Sequence, residues 1–277
     1  MKLDSHQHFW SYDPSQYPWI DQPKQAIARD FLPDDLLAAQ RPLGFTGSIA
    51  VQARQSVAES EWLLRLSDSH SLIKGVVGWV DLRSPHVRTD LQRLAQHPRF
   101  CGVRHVVQDE PDDRFMLGAE FLRGIAALQE FDLAYDLLVF PHQLPASIEL
   151  ASRFPAQRFV LDHIAKPRIA SGALEPWATQ IRELAAFPNV FCKVSGMVTE
   201  TRWGGWKPED FKPYIQVVHD AFGADRLMFG SDWPVCLLSG SYPQVHDIAA
   251  AYSAQLDPIA RSKFFGLNAA AFYKLKP

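Results

Sequence analysis

The chain has 277 residues, 47% hydrophobic and 21% charged, which is enough apolar material for a substantial buried core. Its formal net charge of −3, without a basic stripe, argues against nucleic acid as a partner. No apolar run is long enough to cross a bilayer, so no membrane partner is expected.

Neither a run of like charges nor a low-complexity tract nor a Gly/Ser linker divides the sequence, so residues 1–277 are read as a single domain. Met1 leads directly into Lys2-Leu3-Asp4-Ser5-His6 with no apolar signal core. Cys101, Cys192 and Cys236 are far apart and form no CxxC pair, as expected of reduced thiols in a cytoplasmic protein.

In chain order, β-rich runs fall at about Leu3–Phe9, Gly47–Ala53, Gly75–Leu82, Gly102–Val107, Ala134–Phe140, Arg158–His163, Val190–Ser195 and Arg226–Ser231. Helical periodicity fills the intervals. Ser56 with Glu59 reads as a capping box opening the second helix. Val87, Leu91 and Leu94 mark the third, and Phe121, Ile125 and Leu128 the fourth. Leu174, Trp177, Ile181 and Leu184 form a later stripe, as do Phe211, Ile215, Val218 and Phe222. A last helix from about Asn268 would close the bottom or side. Eight alternating units predict an α/β fold of the (β/α)8 TIM-barrel kind. An open doubly wound sheet usually has a Gly-rich turn after its first strand, where this chain has His6-Gln7-His8-Phe9-Trp10.

In such a barrel, chemistry sits at the C-terminal ends of the strands. His6-x-His8 puts two imidazoles on one face of strand 1, a natural half of a zinc site, although HxH alone is a weak signal. Strand 8 ends in Gly230-Ser231-Asp232-Trp233-Pro234, and barrel closure makes Asp232 a neighbour of His6 and His8; read alone, it is equally a turn or cap residue. At the end of strand 6, period 2 turns either Asp162 or His163 inward, and the inward Leu161 selects His163. Arg104 on strand 4 suits a carboxylate or an oxyanion, or else a salt bridge to a carboxylate such as Asp136. Lys193 on strand 7 is either functional or bonded to Asp136 or Asp232, because an unpaired buried lysine is costly. Two long loops carry Trp10 and Trp19, and Trp203 and Trp206, all four expected either to stack on a substrate or to pack within a lid.

Taken with Asp162-His163 and the ending Gly266-Leu267-Asn268-Ala269-Ala270-Ala271-Phe272-Tyr273, these motifs resemble the "amidohydrolase 2" branch of the amidohydrolase superfamily along essentially the whole chain. The opening Asp4-Ser5-His6-Gln7-His8-Phe9-Trp10 and Tyr135-Asp136-Leu137-Leu138 are most similar to its sugar- and muconate-lactonase group. The resemblance implies hydrolysis of a small sugar-acid lactone, such as L-fuconolactone or L-rhamnonolactone, and a place in L-fucose catabolism. Asp136 and Arg104 stand where many amidohydrolases have a histidine and a metal-bridging residue, which argues against two metals. At most one divalent ion, zinc by ligand type, is expected on His6, His8 and Asp232, with His163 as a further ligand. Metal dependence varies in this group. No organic cofactor is expected.

In the implied mechanism Asp232 is the general base and later the acid. His163, Arg104 and Lys193 are candidates for holding the carbonyl oxygen. Muconate-type lactones are the alternative substrates, with Arg104 on their carboxylate. A decarboxylase of the same fold and a non-catalytic sugar-binding barrel are the remaining alternatives. A serine-nucleophile hydrolase is disfavoured by the lack of a G-x-S-x-G elbow.

Overall fold

The computed structural model describes residues 1–276. Eight parallel strands lie in sequential order: β1 Leu3–Gln7, β2 Gly47–Val51, β3 Ile73–Gly78, β4 Phe100–His105, β5 Ala134–Leu137, β6 Phe159–Leu161, β7 Val190–Val194 and β8 Leu227–Phe229. The barrel closes just beyond the ends of β8 and β1. There the Asp232 N–H donates to the His6 carbonyl at 2.8 Å and the His8 N–H to the Trp233 carbonyl at 2.7 Å. This is the (β/α)8 TIM barrel expected from the alternation of elements.

Most strands end sooner than their apolar runs. The run through Leu82 leaves β3 after Gly78, and Val80 and Leu82 are buried against helices instead. Outside the barrel, the helices Val87–Leu94, Ala119–Glu130, Trp177–Ala185 and Lys212–Phe222 bury the apolar stripes read from their periodicity, except that Leu174 and Phe211 precede their helices and Leu174 is only half-buried. At the helix Val57–Ser69 the Ser56 hydroxyl accepts from the Glu59 N–H, but the expected box does not close. The Glu59 carboxylate instead accepts from the backbone N–H groups of Ala53 and Arg54 at 3.1 and 3.0 Å.

The interior splits into two levels. The lower one is dry, with Ile49, Val51, Val77, Val160 and Met228 packed on Phe272 and Tyr273 of the C-terminal segment. The short helix Asn268–Phe272 and the residue after it thus plug the bottom. The upper level is polar and opens at the C-terminal ends of the strands.

Two local irregularities aim the site. A register shift in β1 between Asp4 and Gln7 inserts an extra residue, so Asp4 turns outward, where Gln40 and Tyr242 donate to it. His6 and His8 then share the inner face. After β6 the chain turns left-handed through four non-glycine residues, with φ of 55° at His163, 48° at Ile164, 59° at Ala165 and 49° at Lys166. Such runs are disfavoured for L-residues and persist only where surrounding structure holds them.

Candidate active site

A cavity of about 840 Å³ opens at the barrel mouth. His8, Arg104, His163 and Asp232 line its floor, with Trp19 and Trp203 among the residues higher up. One oxygen of Asp232 is the meeting point. It lies 3.3 Å from His8 Nε2 and 3.8 Å from both His6 Nε2 and His163 Nε2. Gly230 makes the approach possible, since a Cβ there would fall 2.6 Å from the His6 Cβ. Asp232 itself has φ of 57°, so its carboxylate is delivered by a strained turn rather than by the strand.

Each imidazole is oriented by its other nitrogen. His8 Nδ1 lies 2.8 Å from the Val51 carbonyl, which can only accept, so Nδ1 carries the proton. Its Nε2 faces the Asp232 carboxylate. His163 Nδ1 lies 2.9 Å from the Ser195 hydroxyl, which also accepts from the His163 N–H at 3.3 Å. A Cβ at Gly196 would come within 2.4 Å of that nitrogen, so only glycine lets the ring lie here. His6 is buried just beneath the floor, with Arg104 on Nε2 at 3.3 Å and Lys193 on Nδ1 at 3.2 Å.

Under this floor lies a buried ionic chain. Tyr273 donates its hydroxyl to Asp136 at 2.8 Å; Lys193 Nζ is 2.5 Å from Asp136 and 3.0 Å from Asp162; Asp162 pairs with Arg104 at 3.2 Å. Burial alone would raise Asp162, but Lys193, His6 and Arg104 hold it well below the usual carboxylate range. Burial pushes His6 and His163 well below the ordinary imidazole value, so both are neutral at pH 7. Asp232 is lowered too: burial opposes this, and His163, His8 and Lys166 outweigh it.

The structure decides among several alternatives that the sequence left open. Leu161 packs in the outer core and Val160 in the barrel interior, so the pleat turns Asp162 inward where an inward Leu161 was expected to select His163, and the left-handed turn that begins at His163 brings that imidazole to the site as well. Lys193 does not reach the cavity to hold a carbonyl oxygen; it is wholly buried beneath His6 on Asp136 and Asp162. Arg104 pairs with Asp162 rather than Asp136, and its other terminal nitrogen donates to the Gln52 carbonyl at 2.5 Å. Trp10 is fully buried, its indole N–H on the Arg29 carbonyl, and Trp206 bonds the Ser239 carbonyl; neither lines the cavity. Lys166 and Glu200, which line the cavity, were not singled out in the sequence. For Lys166 a signal existed in Pro167, which disfavours the right-handed helical region for the residue before it.

The first long loop is pinned through Tyr17, whose hydroxyl donates to Glu59 at 3.3 Å. Burial pushes Glu59 up to about 7 from its ordinary 4.5. The folded protein therefore keeps a proton that the unfolded chain loses from about pH 4.5 upward. The resulting stability is complete below that pH and is lost as pH rises through 7. Glu59→Gln removes the titration in nearly the same shape. The melting temperature of the wild type is expected to fall relative to this variant between pH 5 and pH 8; parallel curves would contradict the assignment.

A TIM barrel with carboxylate and imidazole groups converging at its C-terminal mouth defines the class as a barrel enzyme. The chain belongs to the amidohydrolase family, whose model matches residues 3–275. It is 43% identical to an L-fucono-1,5-lactonase of Burkholderia multivorans, the alignment covering 99% of this chain and 96% of that one. Identity to an L-fucono-1,5-lactonase of Burkholderia ambifaria is 40%, with the same coverage. A crystal structure of an amidohydrolase from Burkholderia multivorans with bound zinc superposes with a TM-score of 0.95 at 43% identity, covering all of both chains.

Among the described residues two donor groups suit a metal: His6, His8 and Asp232, and His6, Asp162 and His163. The first fits. Its His8 Nε2 and Asp232 oxygen lie 3.3 Å apart with His6 Nε2 beside them, and two imidazole nitrogens with one carboxylate oxygen are a donor set that suits zinc. The second is blocked, because Lys193 and Arg104 already neutralise Asp162.

Proposed function

We propose that this chain hydrolyses sugar-acid lactones, L-fucono-1,5-lactone first among them, and that one barrel domain over residues 1–277 carries the reaction. The observation that carries this reading is the Asp232 carboxylate, 3.3–3.8 Å from three imidazole nitrogens at the floor of a cavity of about 840 Å³, in a chain 40–43% identical to L-fucono-1,5-lactonases.

Asp232 takes a proton from the water that attacks the lactone carbonyl, and later returns it to the ring oxygen as the bond opens. Its lowered pKa keeps it ionised at neutral pH, ready for the first step. Because the Ser195 oxygen already accepts from the His163 backbone, its hydrogen is available to His163 Nδ1. His163 Nε2 is then the proton-bearing nitrogen that faces the developing oxyanion. Arg104 contributes its positive charge from the floor. His6, His8 and Asp232 would hold a zinc ion, which supplies Lewis acidity and lowers the pKa of water.

Arg104 also weighs against the alternatives. Muconate-type lactones and decarboxylation substrates need a cation for their carboxylate, and the terminal nitrogens of this guanidinium are engaged by Asp162, His6 and the Gln52 carbonyl. The same reading puts the enzyme in the cytoplasm and in L-fucose catabolism. Three buried free cysteines support a reducing compartment, and among the described residues no helix is long and apolar enough to cross a membrane.

The test is a lactone panel read by acid release. Aldonolactones are expected to turn over faster than carboxylated lactones, with no CO₂ released from aromatic acids; turnover confined to carboxylated lactones would overturn the sugar assignment and leave the lactonase class standing. Elemental analysis is expected to find no more than one zinc per chain, since the second donor group is already neutralised. Two metals per chain would refute this.

A further inference from the structure

Two charged side chains on the cavity wall have no part in the chemistry above. Lys166 ends the left-handed turn that begins at His163, and its N–H donates to the His163 carbonyl at 2.8 Å. Residues three apart in so tight a turn share a face, so the turn that presents His163 to the cavity presents Lys166 as well. Its ammonium sits 5.5 Å from the Phe140 ring centre and enters no hydrogen bond or ion pair among the described residues. Glu200 closes the short turn Val198–Glu200 after β7 and lines the same cavity. It too is in no ion pair among the described residues; burial raises its carboxyl above the ordinary range, and the Lys166 charge opposes this. Lys166, Glu200, Asp232 and His163 all line this one cavity.

Resting on the lactonase reading, the geometry points to Lys166 and Glu200 as the pair that selects the substrate, with ring hydroxyls accepting from the Lys166 ammonium and donating to the Glu200 carboxylate. Only a group that is both donor and acceptor satisfies both ends. A substrate carboxylate would meet Glu200 as a like charge, and an apolar ring would leave both groups unpaired in a partly desolvated site. The opposed charges cancel, so the pair favours a neutral polyol ring. The strained backbone from His163 to Lys166 thereby ties the selecting cation to the catalytic imidazole in one rigid turn.

The probe is 1,5-anhydro-L-fucitol, which has the ring hydroxyls of L-fucono-1,5-lactone and no carbonyl to hydrolyse, titrated calorimetrically beside its monodeoxy derivatives. Lys166→Met and Glu200→Gln are each expected to weaken its binding at least ~10-fold. One monodeoxy compound should bind wild type weakly and lose almost nothing further in the variants. On the lactone itself the loss should fall mainly on KM. Lys166→Arg, which keeps the charge, should recover part of the affinity and shows that the turn still folds. Binding of the anhydrofucitol within twofold of wild type in both variants overturns the pair, even if lactones are hydrolysed. Weakened binding in both variants, with no lactone turned over by wild type, upholds the pair and sinks the lactonase reading instead.

Discussion

Asp232→Asn is expected to lower kcat for lactone hydrolysis by at least ~10²-fold, the usual cost of losing an acid–base group, with little change in melting temperature. The substitution keeps size and shape. It also tolerates the backbone, because asparagine is one of the few residues that visits left-handed conformations readily, and Asp232 sits at φ of 57°. What it removes is the basicity of an oxygen 3.3 Å from His8 and 3.8 Å from His6 and His163. Metal content measured on the same sample separates loss of the base from loss of a ligand. A folded variant with near-normal turnover would exclude Asp232 as the base.

Lys193→Met should be the most destabilising single change near the site. It leaves Asp136 and Asp162 facing each other, both wholly buried, with the Tyr273 hydroxyl on one and Arg104 on the other. Breaking a buried pair from one side typically costs about 3–5 kcal/mol, which in a domain of this size lowers the melting temperature by roughly 10 °C. The cost comes from the stranded carboxylates rather than from lost packing, so adding Asp136→Leu should restore part of the stability. A single variant that melts within about 2 °C of wild type would show that the ionic chain does not hold the barrel floor.

The glycine positions make a related point about precision. Gly196 and Gly230 are separated by a whole βα unit, yet each leaves room for a different imidazole, His163 and His6. Neither ring could occupy its place over a methyl group, so the convergence on Asp232 depends on two absent side chains.

Much of this was legible in the sequence. Eight β-rich runs separated by helical stripes determine a parallel barrel, because parallel neighbours need crossover helices and the stripes give each helix one face to bury. Barrel closure then makes the first and last strands neighbours, so His6-x-His8 and Gly230–Pro234 could be brought together without coordinates. Tertiary structure alone decided the rest. Which parity of β6 faces inward was decided by packing: Val160 lies in the barrel interior and Leu161 in the outer core, so Asp162 continues the inward pleat, while the left-handed turn beyond it aims His163 and Lys166. Lys193 could be read as buried and paired, but its second partner, Asp162, depended on that inward parity. Trp10 and Trp19 lie in one loop with equal aromatic character, yet packing buries the first and leaves the second on the cavity wall. Side-chain direction at a strand end, and burial within a loop, are set by contacts with residues far away in the chain, and no local pattern carries them.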